Sequence, residues 1–297
     1  MKSKLIPLLY ITLHLCAQGA WAQVPDGSDM HLPRTPFRLQ SRAEVQLPPA
    51  VDNSTRKFFP PILDQMGGSC AQASGIGYMF TYEINRLLDR DAHASADHRF
   101  SYQFSWNLLN DGQDQGDFVD QGLYLSERYG IMTEQDYGIS GTYQFKWATG
   151  YDKYYKALQY RTQEVLTFAD SIPLMKRWLY DAGDGSAVGG VLTFSAMSRG
   201  WEIDDDYQGP SLTGYRSLLK GLATDGAHAL TIAGYDDTVV YTDAQGTPHT
   251  GAFIVVNSWG THSHDRGRFY LPYDFFRDTR VPEQQLGSTV EAIRVRI

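Results

Sequence analysis

The chain has 297 residues, with 26 basic against 34 acidic side chains and a formal net charge of −8. A mildly acidic chain with no basic cluster or stripe makes nucleic acid and anionic membrane surfaces poor partner candidates. Aromatic residues make up 13% of it, which points to a well-packed globule rather than a disordered chain.

Lys2 and Lys4 precede an apolar run from Leu5 to Ala17, and Ala20-Trp21-Ala22 fits a small-x-small cleavage site before Gln23. The run is shorter than the ~20 apolar residues of a membrane helix, and no other stretch comes near that length. Residues 1–22 therefore read as an export signal, which places the mature chain in the periplasm or outside the cell. A lipid anchor at Cys16 is disfavoured by His14 and Leu15, because small residues normally flank such a site.

Residues 23–52 carry Pro33, Pro36, Pro48 and Pro49 and little periodicity, and read as an extended leader. Asn53-Ser54-Thr55 matches a glycosylation acceptor, a pattern common by chance. From Cys70 to about Asp89, the apolar residues Ile76, Met79, Phe80, Ile84, Leu87 and Leu88 recur at three- and four-residue steps and predict a helix. Gly67 and Gly68 permit a tight turn into it, and Ser69 stands at the N-cap. Further helices are predicted over 101–109, 119–128 and 171–182. The Tyr- and Lys-dense stretch 141–160 reads as irregular. Strands are predicted over 187–194, 229–234, 239–242, 252–257 and 267–271, with Asp243-Ala244-Gln245-Gly246 as a hairpin turn. Helices crowd the first half and strands the second, the pattern of an α+β protein with two lobes.

Once the export signal is removed, Cys70 is the one cysteine left, and no internal disulfide can form. A lone cysteine is either core filler or a reactive group. Its setting at the mouth of a helix favours the thiolate, because free N–H groups and partial positive charge gather there. His228 starts a strand after Asp225-Gly226-Ala227, where the ring can be aimed rigidly. Asn257 ends a later strand, and its amide oxygen could orient that ring, with Trp259 covering the bond from water. Thiol, imidazole and amide in this order are the parts of a cysteine nucleophile with a base and an orienting group. Acyl transfer also needs donors for an oxyanion, and the Cys70 N–H and the Gln65 side-chain amide are candidates.

Together these residues resemble the papain-like cysteine peptidases over roughly residue 53 to the C-terminus. The resemblance rests on Gln65, Gly68-Ser69-Cys70, His228-Ala229 and Asn257-Ser258-Trp259-Gly260. It is supported by Glu127-Arg128-Tyr129-Gly130-Ile131 before Tyr137 and by the tail Gly267-Arg268-Phe269-Tyr270-Leu271. It implies a two-lobe α+β fold, with a helical lobe, a β-barrel lobe and a cleft between them. It also implies hydrolysis of peptide bonds without a cofactor, acting on protein or peptide substrates. Cys70 would attack the carbonyl, His228 would transfer protons, Asn257 would orient His228, and Gln65 would bind the oxyanion. Gln65 stands one residue closer to Cys70 than is usual in the family, Gly67 replaces its upstream cysteine, and Ala71 replaces the aromatic residue after the nucleophile. The interval before Cys70 is too short for the family's helical pro-domain, although residues 23–52 could still cover the cleft.

Two other readings stay open: a catalytically silent papain-like fold that binds protein or glycan, and a cysteine acyl transferase that passes its thioester to an amine. His262-Ser263-His264-Asp265 carries metal-ligating side chains, but no second cluster stands in the sequence to complete a site. Asp111 to Gly116 fails as a calcium loop at Gln113 and Gly122. Glu202 with Asp204, Asp205 and Asp206 reads as a solvated acidic loop.

Overall fold

The computed structural model describes residues 30–39, 45–138, 148–169, 171–221, 223, 225–242, 246–277 and 290–297. The export signal, Cys16 and the first three residues of the expected turn at 243–246 lie outside the described residues. Among the described residues, no helix is long and apolar enough to cross a membrane.

A helix begins at Cys70–Gln72, continues through a wider-wound π segment at Ala73–Phe80, and ends as α-helix over Thr81–Leu88. Every residue from Ala73 to Phe80 is buried, so this central helix is packed on all sides. Small residues make that possible. A Cβ on Gly77 would lie 2.5 Å from Leu63 Cδ1, a separation that packed atoms do not reach. The helix ends at Asp89, which takes the left-handed conformation at φ 52°. Helices at Tyr102–Leu109 and Val119–Tyr129 pack around it, and one at Ile172–Asp181 supports the sheet. Ser101 caps its helix by accepting from Phe104 N at 3.2 Å. Ser69, expected to cap the central helix, instead turns its hydroxyl back to donate to Met66 O at 2.6 Å.

Among the described residues, ten strands form one sheet: β1 (Arg34–Pro36), β2 (Ala50–Asp52), β3 (Arg161–Thr167), β4 (Leu192–Met197), β5 (Glu202–Asp204), β6 (Leu218–Gly221), β7 (Ala227–Thr242), β8 (Pro248–Val256), β9 (Arg268–Pro272) and β10 (Glu291–Arg296). Their order is β1-β3-β10-β4-β7-β8-β9-β6-β5, with β2 paired to β7 off that path. The two strands expected over 229–234 and 239–242 are one long strand, β7, whose register against β8 shifts twice. The strand expected from residue 187 starts at Leu192 instead. Gly189 and Gly190 press against the 172–181 helix, where a Cβ would lie 2.1 Å from Leu179 O and 2.4 Å from Trp178 Nε1.

The segment read as an extended leader is not detached. β1 and β2 both join the sheet, and Phe37 packs its ring against Phe168 and Trp178 at 4.8 and 5.5 Å between centroids. The Tyr- and Lys-dense stretch contains a helix, Tyr151–Ala157.

Two large buried clusters hold the molecule together. One centres on Trp178, Phe194, Tyr235 and Phe253 between the sheet and the 172–181 helix. The other centres on Phe59, Tyr78, Tyr82 and Phe100 around the central helix. Aromatic side chains dominate both, and each such ring contributes a large apolar area.

Candidate active site

The sheet register sets the position of the histidine. β4 and β7 pair antiparallel, with Ala196 opposite His228. Ser74 of the central helix bonds Thr193 and Thr231 across that pair at 2.7 and 2.9 Å. The helix start and the β7 start are thereby fixed to each other, and Cys70 and His228 line one cavity of about 590 Å³.

His228 is buried, and its Nε2 lies 2.8 Å from Asn257 Oδ1. The same oxygen accepts from Ser258 N at 2.8 Å, which fixes the amide's orientation. Trp259 stacks on the His228 ring at 4.6 Å and 24° between planes, and Trp201 meets it edge-on at 6.2 Å. The histidine–asparagine bond is therefore shielded on its indole side, where low dielectric strengthens it.

The Asn-Ser-Trp-Gly turn is tied to the segment before the cysteine. Gly260 N donates to Leu63 O at 2.9 Å and Gln65 N to Ser258 O at 2.7 Å. The Tyr78 hydroxyl accepts from Leu63 N at 2.7 Å and donates to Asn257 O at 2.9 Å, so one buried hydroxyl joins three elements of the site. Replacing Tyr78 by Phe is expected to cost about 1–3 kcal/mol, the range for a lost buried partner. Denaturant unfolding measures it, and an unchanged midpoint would contradict that role.

Gln65 is held from both ends. Its Oε1 accepts from the Ser258 hydroxyl at 2.6 Å and its Nε2 donates to Gly67 O at 2.9 Å. Gly67 carries φ 55°, and a Cβ there would lie 2.0 Å from Asp114 Oδ1, so the turn into Cys70 requires glycine. Gln65 does not line the cavity that Cys70 and His228 share.

Charge at the site is governed by burial. Burial pushes the Cys70 thiol above its ordinary value, and the nearby Asp117 carboxylate adds to the rise. Hydrogen bonding to the Ala229, Ala71 and Cys70 backbone acts the other way without cancelling it. The helix mouth alone suggested a lowered thiol; desolvation outweighs the backbone donors. Burial also lowers His228 to about 4, with the Asn257 hydrogen bond opposing that fall and His264 adding to it. Both shifts favour the uncharged forms of the thiol and the imidazole.

Several residues here carried no decisive sequence signal. His264, from the His262–Asp265 run, places its Nε2 3.3 Å from Asn257 Nδ2. Among the described residues, no three or more His, Cys, Asp or Glu side chains are arranged so that they could hold a metal ion. Asp117, Asp120, Phe118, Arg34 and Glu291 all line the cavity with Cys70. They come from three distant parts of the chain, which no local motif could connect.

Among solved structures, xylellain, a cysteine protease from Xylella fastidiosa, matches with a TM-score of 0.60 at 19% identity, over 89% of this chain and 94% of its own. The chain has a papain-like α+β fold. Digestive procathepsin L 3 of Tenebrio molitor larval midgut matches at TM-score 0.57 and 13% identity, over 88% of this chain and 73% of its own. Procathepsin B S9 from Trypanosoma congolense matches at TM-score 0.58 and 16% identity, over 90% of this chain and 83% of its own. No protein-family model matches the chain, and no curated protein matches it in sequence. At these identities the papain-like neighbours establish the fold, and chemistry has to be argued from the side chains.

Proposed function

We propose that the protein is an exported cysteine peptidase that hydrolyses peptide bonds through Cys70, His228 and Asn257. The observation that carries this reading is the fixed His228–Asn257 pair, 2.8 Å apart, on the cavity that Cys70 also lines. With Nε2 engaged by Asn257, Nδ1 is the nitrogen left to serve the thiol.

The reaction starts from the uncharged thiol and imidazole that both shifts favour. The Cys70 sulfur attacks the substrate carbonyl as its proton passes to His228, and the carbonyl π pair moves onto oxygen. The Cys70 backbone N–H is the donor assigned to that oxyanion, and the second N–H of the Gln65 amide would join it only by turning toward a cavity that Gln65 does not line. As the oxyanion collapses, the carbon–nitrogen bond breaks and His228 delivers its proton to the leaving amine. A thioester remains. Water attacks it with His228 as base, and the thiol is released by reprotonation. Asn257 keeps the ring in the plane and tautomer that both transfers require. The export-signal reading places this chemistry outside the cytoplasm, and the disulfide-free, bacterial-type character belongs to the same proposal.

The pH profile tests the proton assignment. A protonated His228 cannot accept the thiol proton, so kcat/KM is expected to rise with pH through an acid limb near the His228 value of about 4 and to be level by about pH 6. Stopped assays on an internally quenched peptide library supply the profile. A limb centred near the ordinary histidine value of about 6.5 would remove His228 as a buried neutral base.

A further inference from the structure

Asn257 stands between two histidines. Its Oδ1 lies 2.8 Å from His228 Nε2, and its Nδ2 lies 3.3 Å from His264 Nε2. Asn257 is fully buried, and His264 is the acceptor its NH₂ group meets among the described residues. A backbone N–H decides which way round the amide sits. Ser258 N can only donate, and it lies 2.8 Å from Oδ1, so exchanging oxygen and nitrogen would set two donors against each other. Two tautomers follow from that one contact. His228 must carry its proton on Nε2 to donate to Oδ1. His264 must leave Nε2 bare to accept from Nδ2, and so carries its proton on Nδ1. That Nδ1 is buried without a partner in hydrogen-bonding geometry. Asp205 Oδ1, which already accepts from the Ser217 hydroxyl at 2.7 Å, stands 3.5 Å away, and its charge favours a proton there.

The backbone is bent to put His264 there. His264 takes φ 53°, in the left-handed region that favours glycine, and Arg266 does the same just before Gly267. These turns fold the segment after Trp259 back on itself. Gly267 N donates to Ser263 O at 2.7 Å, and Asn257 N donates to Gly267 O at 2.9 Å. The loop therefore closes on the backbone of Asn257 and seats His264 against its side chain. Phe269 meets the imidazole edge-on at 5.2 Å and Trp259 lies at 6.1 Å, which leaves the His264 side chain 11% exposed. Strained backbone persists where the surrounding structure over-determines it, and such residues cluster at active sites. Glycine would relieve the strain and an apolar ring would fill the space. Neither would give Asn257 Nδ2 an acceptor.

Resting on the peptidase reading above, we propose that His264 is a positioning residue: as the buried acceptor for Asn257 Nδ2, it locks the amide so that His228 presents a bare Nδ1 to Cys70. Without that acceptor a buried NH₂ group goes unpaired, and Ser258 N alone opposes a half-turn of the amide. A turned amide offers NH₂ to His228 Nε2. The His228 proton then moves to Nδ1, where it blocks transfer from the thiol. Asp205 holds the His264 tautomer from the far side. The His262–Asp265 run and the acidic loop at 202–206 thus each supply one side chain to the orientation of Asn257.

The test uses the full chain with isotopically labelled histidine rings, beside its His264→Phe, His264→Asn and His264→Gln variants. Gln can set a carbonyl oxygen where Nε2 stood. The shorter Asn cannot, and Phe keeps the ring's volume with no acceptor. Proton–nitrogen correlation spectra at neutral pH read the tautomers without turnover, and hydrolysis of the quenched peptides is followed in parallel. In the native chain His264 is expected as the Nδ1–H form and His228 as the Nε2–H form. His264→Phe and His264→Asn should lower kcat about tenfold with KM changed less than about twofold, the scale of one lost hydrogen bond. His264→Gln should keep at least about a third of the native kcat, because the acceptor is restored. An Nε2–H form at His264 in the native chain overturns the proposal whatever the turnover. A Gln variant no better than Phe and Asn overturns it too, since packing alone would then explain the loss. Native hydrolysis indifferent to His264→Phe keeps the peptidase and retires the positioning residue. Opposite tautomers in a native chain that hydrolyses nothing keep the amide lock and retire the peptidase.

Discussion

Replacing Cys70 by alanine is expected to lower kcat/KM for peptide hydrolysis by about 10⁴-fold or more, because no other group in the cavity can form the thioester. His228→Ala is expected to cost about 10²- to 10⁴-fold, the range for a positioned acid–base group. The two losses should not add, since the residues act on the same proton and the same bond. Cys70 lines an open cavity and makes no structural bridge, so the C70A melting temperature should correspond to a change within about 1 kcal/mol. That stability control separates a chemical loss from an unfolded protein. Progress curves for both variants beside the native chain give the answer. Hydrolysis that survives C70A unchanged would place the activity elsewhere, and a native chain that cleaves nothing would favour a silent binding module.

Replacing Asp117 by asparagine is expected to stabilise the protein at about pH 8, and the sign follows from burial. Desolvation raises the Asp117 carboxyl to about 7 in the folded chain, against 3.8 as its ordinary value. Between those limits the folded state keeps a proton that the unfolded state has lost, so native stability falls as pH rises through that window. At about 1.36 kcal/mol per unit, the full penalty is roughly 4 kcal/mol once the pH exceeds about 7. A neutral amide at this position has no charge to bury, so D117N should unfold at higher denaturant than the native chain at about pH 8 and at similar denaturant near pH ~4. His228 acts with the opposite sign. Its value of about 4 makes the native chain lose stability as pH falls from 6.5. Because that contribution is common to both proteins, the difference between their pH–stability curves isolates Asp117. Curves that run parallel from about pH 4 to about pH 8 would show that Asp117 is not a buried titrating group.

The Cys70 thiol and the Asp117 carboxyl are also linked, because Asp117 is among the groups that raise the thiol. Charge at that end of the cleft therefore acts on the nucleophile.

Much of the site could be read directly from the residues. Cys70 at a helix mouth, His228 at a strand start and Asn257 at a strand end are each local facts, set by turn glycines, apolar periodicity and alternation. The helices at 102–109, 119–129 and 172–181 followed from the same periodicity, because their apolar faces recur at helical steps. Short edge elements did not follow. β1 and β2 have three residues each, too few to show a period, and they are strands because Val165 and Tyr235 stand beside them. β7 remained one strand past Gly234 because β2 and β8 flank it there, and pairing on both sides outweighs the local turn signal.

What the sequence by itself determined was the chemistry on offer: one thiol, one imidazole and one amide, in an order that suits acyl transfer, on an α+β chain. Tertiary structure decided the electrostatics. Gathering Arg34, Asp117, Asp120 and Glu291 at one cavity depends on sheet order, with β1, β3, β10 and β4 side by side although their residues are far apart in the chain. The direction in which the Cys70 and His228 titrations are pushed depends on how deeply packing buries them, a property of neighbours drawn from the whole fold.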